Sequence, residues 1–262
     1  LYDEVLAQPE EAEPYHRRVL AYDPSNEDAF ASLKELFTSL ERWEDLQKLY
    51  RMRIEETVDS AAKLELLLQI CFLFEEILDK PEKAIEAYQA VLNLEPDHAP
   101  SIRTLERLYE RTGRWRDLAV LLRNELARAE GQDAIDLMFR LGEINEAKLG
   151  EPSAAVDQYE GVLLRQPTHL RAQEALERLL GVKEQRQRIA SILEPLYQEQ
   201  GAYADLARIL EVQLEFESTG GGRTGLLLRM ENEAQLASVL AHEIAHYRYQ
   251  HSLEMFRQAK DT

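Results

Sequence analysis

Near the end of the sequence two histidines stand four residues apart, with a glutamate beside the first: His242-Glu243-Ile244-Ala245-His246. On a helix, residues four apart return to nearly the same face, so both imidazoles can reach one metal ion, and zinc suits such ligands. A glutamate beside them is placed to take a proton from a metal-bound water and pass it to a leaving amine. Zinc in such a site lowers the pKa of the water and polarises a carbonyl. Between Ala234 and Tyr247 the only formal charge is Glu243. Apolar residues run around nearly the whole circumference, which predicts a helix of the buried type.

A third ligand is not found nearby. His251 lies five residues beyond His246, about 140° around a helix. Tyr249 and Ser252 occupy the places where a longer pattern, H-E-x-x-H-x-x-G-x-x-H, needs Gly and His. Glu254 also points elsewhere on a straight helix.

From Asn232 to His246, followed by His251, the sequence closely resembles the active-site helix of the CAAX-prenyl-protease-like zinc metallopeptidases. The resemblance runs from Arg223 onward. It implies His242 and His246 as zinc ligands and Glu243 as general base, with a further glutamate ligand from a later helix. It also implies kinship with soluble periplasmic members joined to tetratricopeptide arrays. His246 is 16 residues from Thr262, the last residue given, so the zinc site is expected to be incomplete and no other cofactor is expected. Three readings of this segment stay open: a metallopeptidase helix cut from its domain, a zinc site completed from elsewhere, or a capping helix with a coincidental motif.

The elements that precede the motif repeat. Pro9-Glu10-Glu11-Ala12-Glu13-Pro14-Tyr15-His16 is echoed from Pro81 to Tyr88 and again from Pro152 to Tyr159. Each copy runs to another proline, at Pro24, Pro96 and Pro167. Trp43-Glu44-Asp45-Leu46 returns as Trp115-Arg116-Asp117-Leu118 and as Tyr203-Ala204-Asp205-Leu206, the last after an insertion expected around Val182 to Gln198. Leu64, Leu67, Leu68, Cys71 and Phe74 fall on one helical face, as do Leu118, Leu121, Leu122 and Leu126. Pro81 and Pro152 open helices, and Gly113 and Gly201 sit in turns between helices.

Ala84, Tyr88, Val91, Pro96 and Ala155, Tyr159, Val162, Pro167 resemble the second helix of a tetratricopeptide repeat. Ala12, His16, Val19, Pro24 form a weaker copy. Ile102, Leu105 and Tyr109 fit the first helix, while Glu106 stands where that family has glycine. The expected fold is therefore all-α, a superhelical array of tetratricopeptide-like helical hairpins. A single hairpin leaves an apolar face uncovered, so hairpins stack. Trp43, Trp115 and Tyr203 are expected to pack between them.

By the same resemblance, first helices line a concave groove, which places Arg103, Arg107 and Arg111 on it as one stripe. The stripe suits a carboxylate-rich protein or peptide ligand, or else it is neutralised by Glu106 and Glu110 as ordinary helix pairs. The chain has 262 residues and a formal net charge of -18. A surface so acidic repels phosphate backbones, so no nucleic acid partner is expected. No apolar run is long enough for a membrane span. Cys71 is the only cysteine and is expected to be buried. The sequence opens at Leu1 without methionine, which leaves a removed leader open; the expected compartment is cytoplasmic or, with a leader removed, periplasmic.

The expected organisation is an array over 1–217, a Gly-rich join over 218–225 around Gly220-Gly221-Gly222, and a metallopeptidase-like helical segment over 226–262. A second register is also open. The 160-residue offset that carries Trp43 to Tyr203 carries Leu66-Leu67-Leu68 onto Leu226-Leu227-Leu228, so the leucines equally open another repeat. The expected function is a protein-interaction scaffold carrying an incomplete H-E-x-x-H segment; the alternative is a zinc metalloendopeptidase whose repeats recruit substrates or partners.

Overall fold

The structure, a computed structural model, describes residues 9–232. Every regular element among them is helical. The chain divides within one helix, at Leu121 and Leu122, into two compact units.

The first unit holds α1 (Pro9–Tyr22), α2 (Glu27–Ser39), α3 (Trp43–Glu56), α4 (Ser60–Phe72), α5 (Pro81–Leu94), α6 (Ala99–Thr112) and the start of α7 (Trp115–Leu126). From α1 to α6, each helix packs on the next in the chain. The caps explain where the chain turns. Asn26 Oδ1 accepts from the Ala29 N–H at 3.0 Å, and Asp59 Oδ2 from the Ala62 N–H at 2.8 Å. Pro81 opens α5 with a missing N–H that the first turn does not need. Gly113 ends α6 at φ 68°, a left-handed position that a side chain would strain. Phe37, Ile85, Leu105, Leu108 and Leu118 lie wholly inside.

The second unit holds α8 (Gly131–Ile144), α9 (Pro152–Arg165), α10 (Leu170–Leu179), α11 (Lys183–Gln200) and α12 (Tyr203–Phe216). A further helix, α13, occupies residues 220–232. Tyr159, Leu176, Ile189, Leu193 and Leu206 centre its core, and Leu226 and Met230 of α13 pack against it. The described chain is thus the expected all-α array of helical hairpins. The expected insertion appears as an extra helix: His169 caps α10 through Nδ1 as His98 caps α6, and Gly201 ends α11 as Gly113 ends α6. One helix of the earlier copy has become two.

A feature without a sequence forecast also repeats. α4 and α8 each end in a turn of π-helix, Leu73–Ile77 and Asn145–Leu149. The residues just beyond, Asp79 (φ 43°) and Gly150 (φ 64°), are left-handed. One extra residue per turn rotates the helix end, which brings Glu75 onto the Tyr88 hydroxyl at 2.6 Å and Glu146 onto the Tyr159 hydroxyl at 2.7 Å.

Cys71 is 1% exposed, and burial pushes its thiol up to about 12. Thiolate is the reactive form. The native chain is therefore expected to leave an aromatic disulfide reagent untouched at mildly alkaline pH, and to release one equivalent in strong guanidinium. Prompt reaction of the native chain would place Cys71 at the surface instead.

Candidate functional site

A concavity of the first unit lies along α2 and α4, floored by α3. Two hollows meet there. One, of about 500 Å³, is bordered by Glu27, Phe30, Arg53, Glu56, Asp59 and Leu66; the other, of about 490 Å³, by Trp43, Leu46, Tyr50, Leu68, Phe72 and Ile77. Lys34, Glu65 and Gln69 belong to both. Phe72 is 59% exposed and Ile77 44%, so a large apolar surface stands open to water beside a charged one.

Arg53 sits on the floor, 5% exposed. Its Nη1 donates to the Pro24 carbonyl at 2.5 Å, and its guanidinium lies 4.8 Å from the Phe30 ring centre. Glu27 approaches Nη2 at 2.7 Å as an ion pair, outside hydrogen-bond alignment. Gln69 Oε1 is buried and accepts no hydrogen bond. Glu56 and Glu65 are exposed at the rim.

The arginine stripe has a different setting. Arg107 is ion-paired with Glu75, the carboxylate that also accepts from Tyr88. Arg111 lies 3.4 Å from Asp79. Arg103 is exposed and has no ion pair among the described residues. The partners of Arg107 and Arg111 thus come from the turn between α4 and α5. The second unit repeats the arrangement: Arg178 Nη2 reaches Glu146 at 3.3 Å, and Glu146 accepts from Tyr159. Burial pushes the Tyr88 and Tyr159 phenols up, so both remain donors at neutral pH.

Gly220, Gly221 and Gly222 do not interrupt a helix as their composition suggests; they form its first turn. The break is confined to residues 217–219. Thr219 Oγ1 accepts from the Gly222 N–H at 3.1 Å, the same cap that Asp59 gives Ala62, 160 residues earlier. Glu217 repeats the Thr57 backbone, with φ -77° and ψ 118° against -79° and 119°. α13 therefore stands in the register of α4, and Leu226 takes the place of Leu66. Arg229 of α13 pairs with Glu194 at 2.7 Å.

His242, Glu243 and His246 lie outside the described residues. Among the described residues, no group of three or more His, Cys, Asp or Glu side chains comes together to hold a metal ion. No described helix is long and apolar enough to cross a membrane.

Comparison with known proteins gives two results. A family model, Peptidase family M48, matches residues 223–260, which include His242, Glu243 and His246. Among solved structures the chain is similar to MamA, at 16% identity, TM-score 0.35, covering 76% of this chain and 92% of that one. It is similar to human IFIT1, from a dimer with PPP-AAAA, at 18% identity and TM-score 0.40, covering 81% and 52%. A tetratricopeptide repeat protein from Parabacteroides merdae matches at 16% identity and TM-score 0.33, covering 88% and 95%. No curated protein matches. The described chain is an all-α array of helical hairpins, and residues 223–260 are similar to M48 peptidases. The family match begins inside α13, so its first ten residues, 223–232, are also a helix in repeat register.

Proposed function

We propose that the chain is a protein-interaction scaffold whose hairpins hold a protein or peptide ligand, and that its C-terminal segment supplies part of a zinc-peptidase site. The observation that carries the scaffold reading is the α2–α4 concavity, where Phe72 and Ile77 are exposed side by side above Trp43 and Leu68. Exposed apolar surface of this kind marks interaction sites. Arg103 is the stripe residue that remains available to a carboxylate. The test is capture by the immobilised full chain, compared with Phe72→Ala. The same proteins retained by the parent and lost by the variant would support the reading; equal retention would remove the groove from it.

The M48 match favours a second reading, a zinc metalloendopeptidase whose repeats recruit substrates. His242 and His246 would be two zinc ligands, and Glu243 the base that holds the proton of the attacking water. Bound zinc would supply Lewis acidity and an acidified water there. Elemental analysis of untagged protein beside His246→Ala separates the readings. The scaffold reading expects far less than one zinc per chain in both. Near one zinc in the parent and none in the variant would put the peptidase reading ahead, with Glu243→Gln then expected to abolish hydrolysis of an unstructured protein while keeping the metal.

A further inference from the structure

The groove on α2 and α4 carries chemistry that points to the character of its occupant. The repeat itself provides the comparison. An equivalent hollow of about 480 Å³ lies in the second unit, lined by Gln213, Phe216, Gly225, Leu226 and Arg229. These stand 160 residues after Arg53, Glu56, Glu65, Leu66 and Gln69. Leucine is kept at the floor, so the repeat geometry requires it. The charges are not kept: Phe216 replaces Glu56, Thr219 replaces Asp59, Gly225 replaces Glu65, Gln213 replaces Arg53 and Arg229 replaces Gln69, while Glu217 stands in the place of Thr57 and is, among the described residues, the one acid lining the second hollow. The acidic rim of the first unit is therefore no by-product of building the hairpin.

Four carboxylates, Glu27, Glu56, Asp59 and Glu65, border the first hollow, and Glu27 is paired with Arg53. Asp59 is engaged in capping α4, but Glu56 and Glu65 have neither hydrogen bond nor ion pair among the described residues. The two cations nearby do not answer them: Arg53 is committed to Pro24, Phe30 and Glu27, and Lys34 makes no ion pair among the described residues. Below the rim, buried Gln69 Oε1 lacks a donor. The adjoining hollow is apolar, walled by Trp43, Leu46, Leu68 and Phe72.

We infer that this groove takes an amphipathic, basic peptide segment: an apolar side chain seats against Trp43, Leu68 and Phe72, and lysine or arginine lies over Glu56 and Glu65. The inference rests on the scaffold reading and adds the partner's charge. Basic side chains would also be drawn by the net charge of -18, whereas the carboxylate-rich ligand suggested by Arg103, Arg107 and Arg111 would meet an acidic rim here.

The test uses the full chain and two fluorescein-labelled helical peptides, one of leucine and lysine, the other of leucine and glutamate, at physiological salt. The lysine peptide is expected to bind and the glutamate peptide not. Phe72→Ala, at an exposed position that folding tolerates, should weaken binding about ten-fold, as loss of an apolar anchor does. Glu65→Lys should weaken it by a similar factor, and Glu211→Lys, the same charge change on α12, by less than about two-fold. Equal loss in Glu65→Lys and Glu211→Lys would show attraction to net charge alone and overturn the inference. So would binding of neither peptide. Binding of the glutamate peptide, lost in Phe72→Ala, would also overturn it while leaving the scaffold reading standing.

Discussion

Replacing Tyr159 with alanine is expected to cost the second unit about 3–5 kcal/mol, the range for deleting a large aromatic from a packed core. The ring is 0% exposed, 5.7 Å from Phe139 between ring centres, and enclosed by residues of the same core such as Ala155, Leu176 and Ile189. Its hydroxyl donates to Glu146 at 2.7 Å. Tyr159→Phe keeps the ring and removes only that bond. Glu146 retains Arg178, at 3.3 Å, and partial solvent contact, so the hydroxyl is expected to account for about 1–2 kcal/mol. Urea titrations of the three proteins, followed by helical signal, check the division. A loss in Tyr159→Phe as large as in Tyr159→Ala would mean that the hydrogen bond, not the ring, organises the core. The pH dependence follows from the same burial. The Tyr159 phenol lies above its ordinary value of 10.0 because burial, then Glu146, disfavours phenolate. The resulting stability is whole below pH 10.0 and declines as pH rises beyond it, because the unfolded chain ionises first. Tyr159→Phe should flatten that decline by one group's share.

Much of this core was legible in the sequence. The Ala155, Tyr159, Val162, Pro167 spacing marked the second helix of a hairpin, and in the structure Ala155, Tyr159 and Val162 face one core. Proline and glycine punctuation placed the ends of α5, α6, α9 and α11 because those residues act through their own backbone. What escaped was set by tertiary register. The π turns add one residue to α4 and α8, and no local composition announces them. By spacing alone Arg107 and Arg111 have helix neighbours at Glu106 and Glu110, yet each reaches an acid 32 residues back, Glu75 and Asp79. Only stacked hairpins bring those residues together. Gly220 to Gly222 misled in the opposite direction: glycine disfavours helix by about 1 kcal/mol per residue, but the Thr219 cap and the docking of Leu226 and Met230 override it. Of the metal site, the residue types and spacing of His242, Glu243 and His246 are legible, while the source of a third ligand is not, because such a ligand is brought by folding and not by spacing.

Gly142 is the other residue whose type matters more than its sequence context suggested. It lies in α8, where alanine would ordinarily favour the helix by about 1 kcal/mol. Here a Cβ would run into the Tyr159 ring, at Cδ1, Cε1 and Cζ. A wholly buried ring has no room to yield, and overpacking of this kind costs about 1–3 kcal/mol. Gly142→Ala is therefore expected to destabilise the second unit despite the gain in propensity, and Gly142→Val to do so more severely. The first unit supplies a natural comparison. At the place equivalent to Gly142, 71 residues earlier, stands Cys71, and there Tyr88 is only half-buried where Tyr159 is fully so. A side chain at this place and a fully inserted ring exclude one another. A double-mutant cycle isolates that pair. In a Tyr159→Leu background the ring is gone, so adding Gly142→Ala should reverse sign and stabilise by up to about 1 kcal/mol, the bare helix preference. If Gly142→Ala stayed equally harmful in the Tyr159→Leu background, the close approach of α8 to α9 would be governed by backbone contact, and the ring would have no part in it.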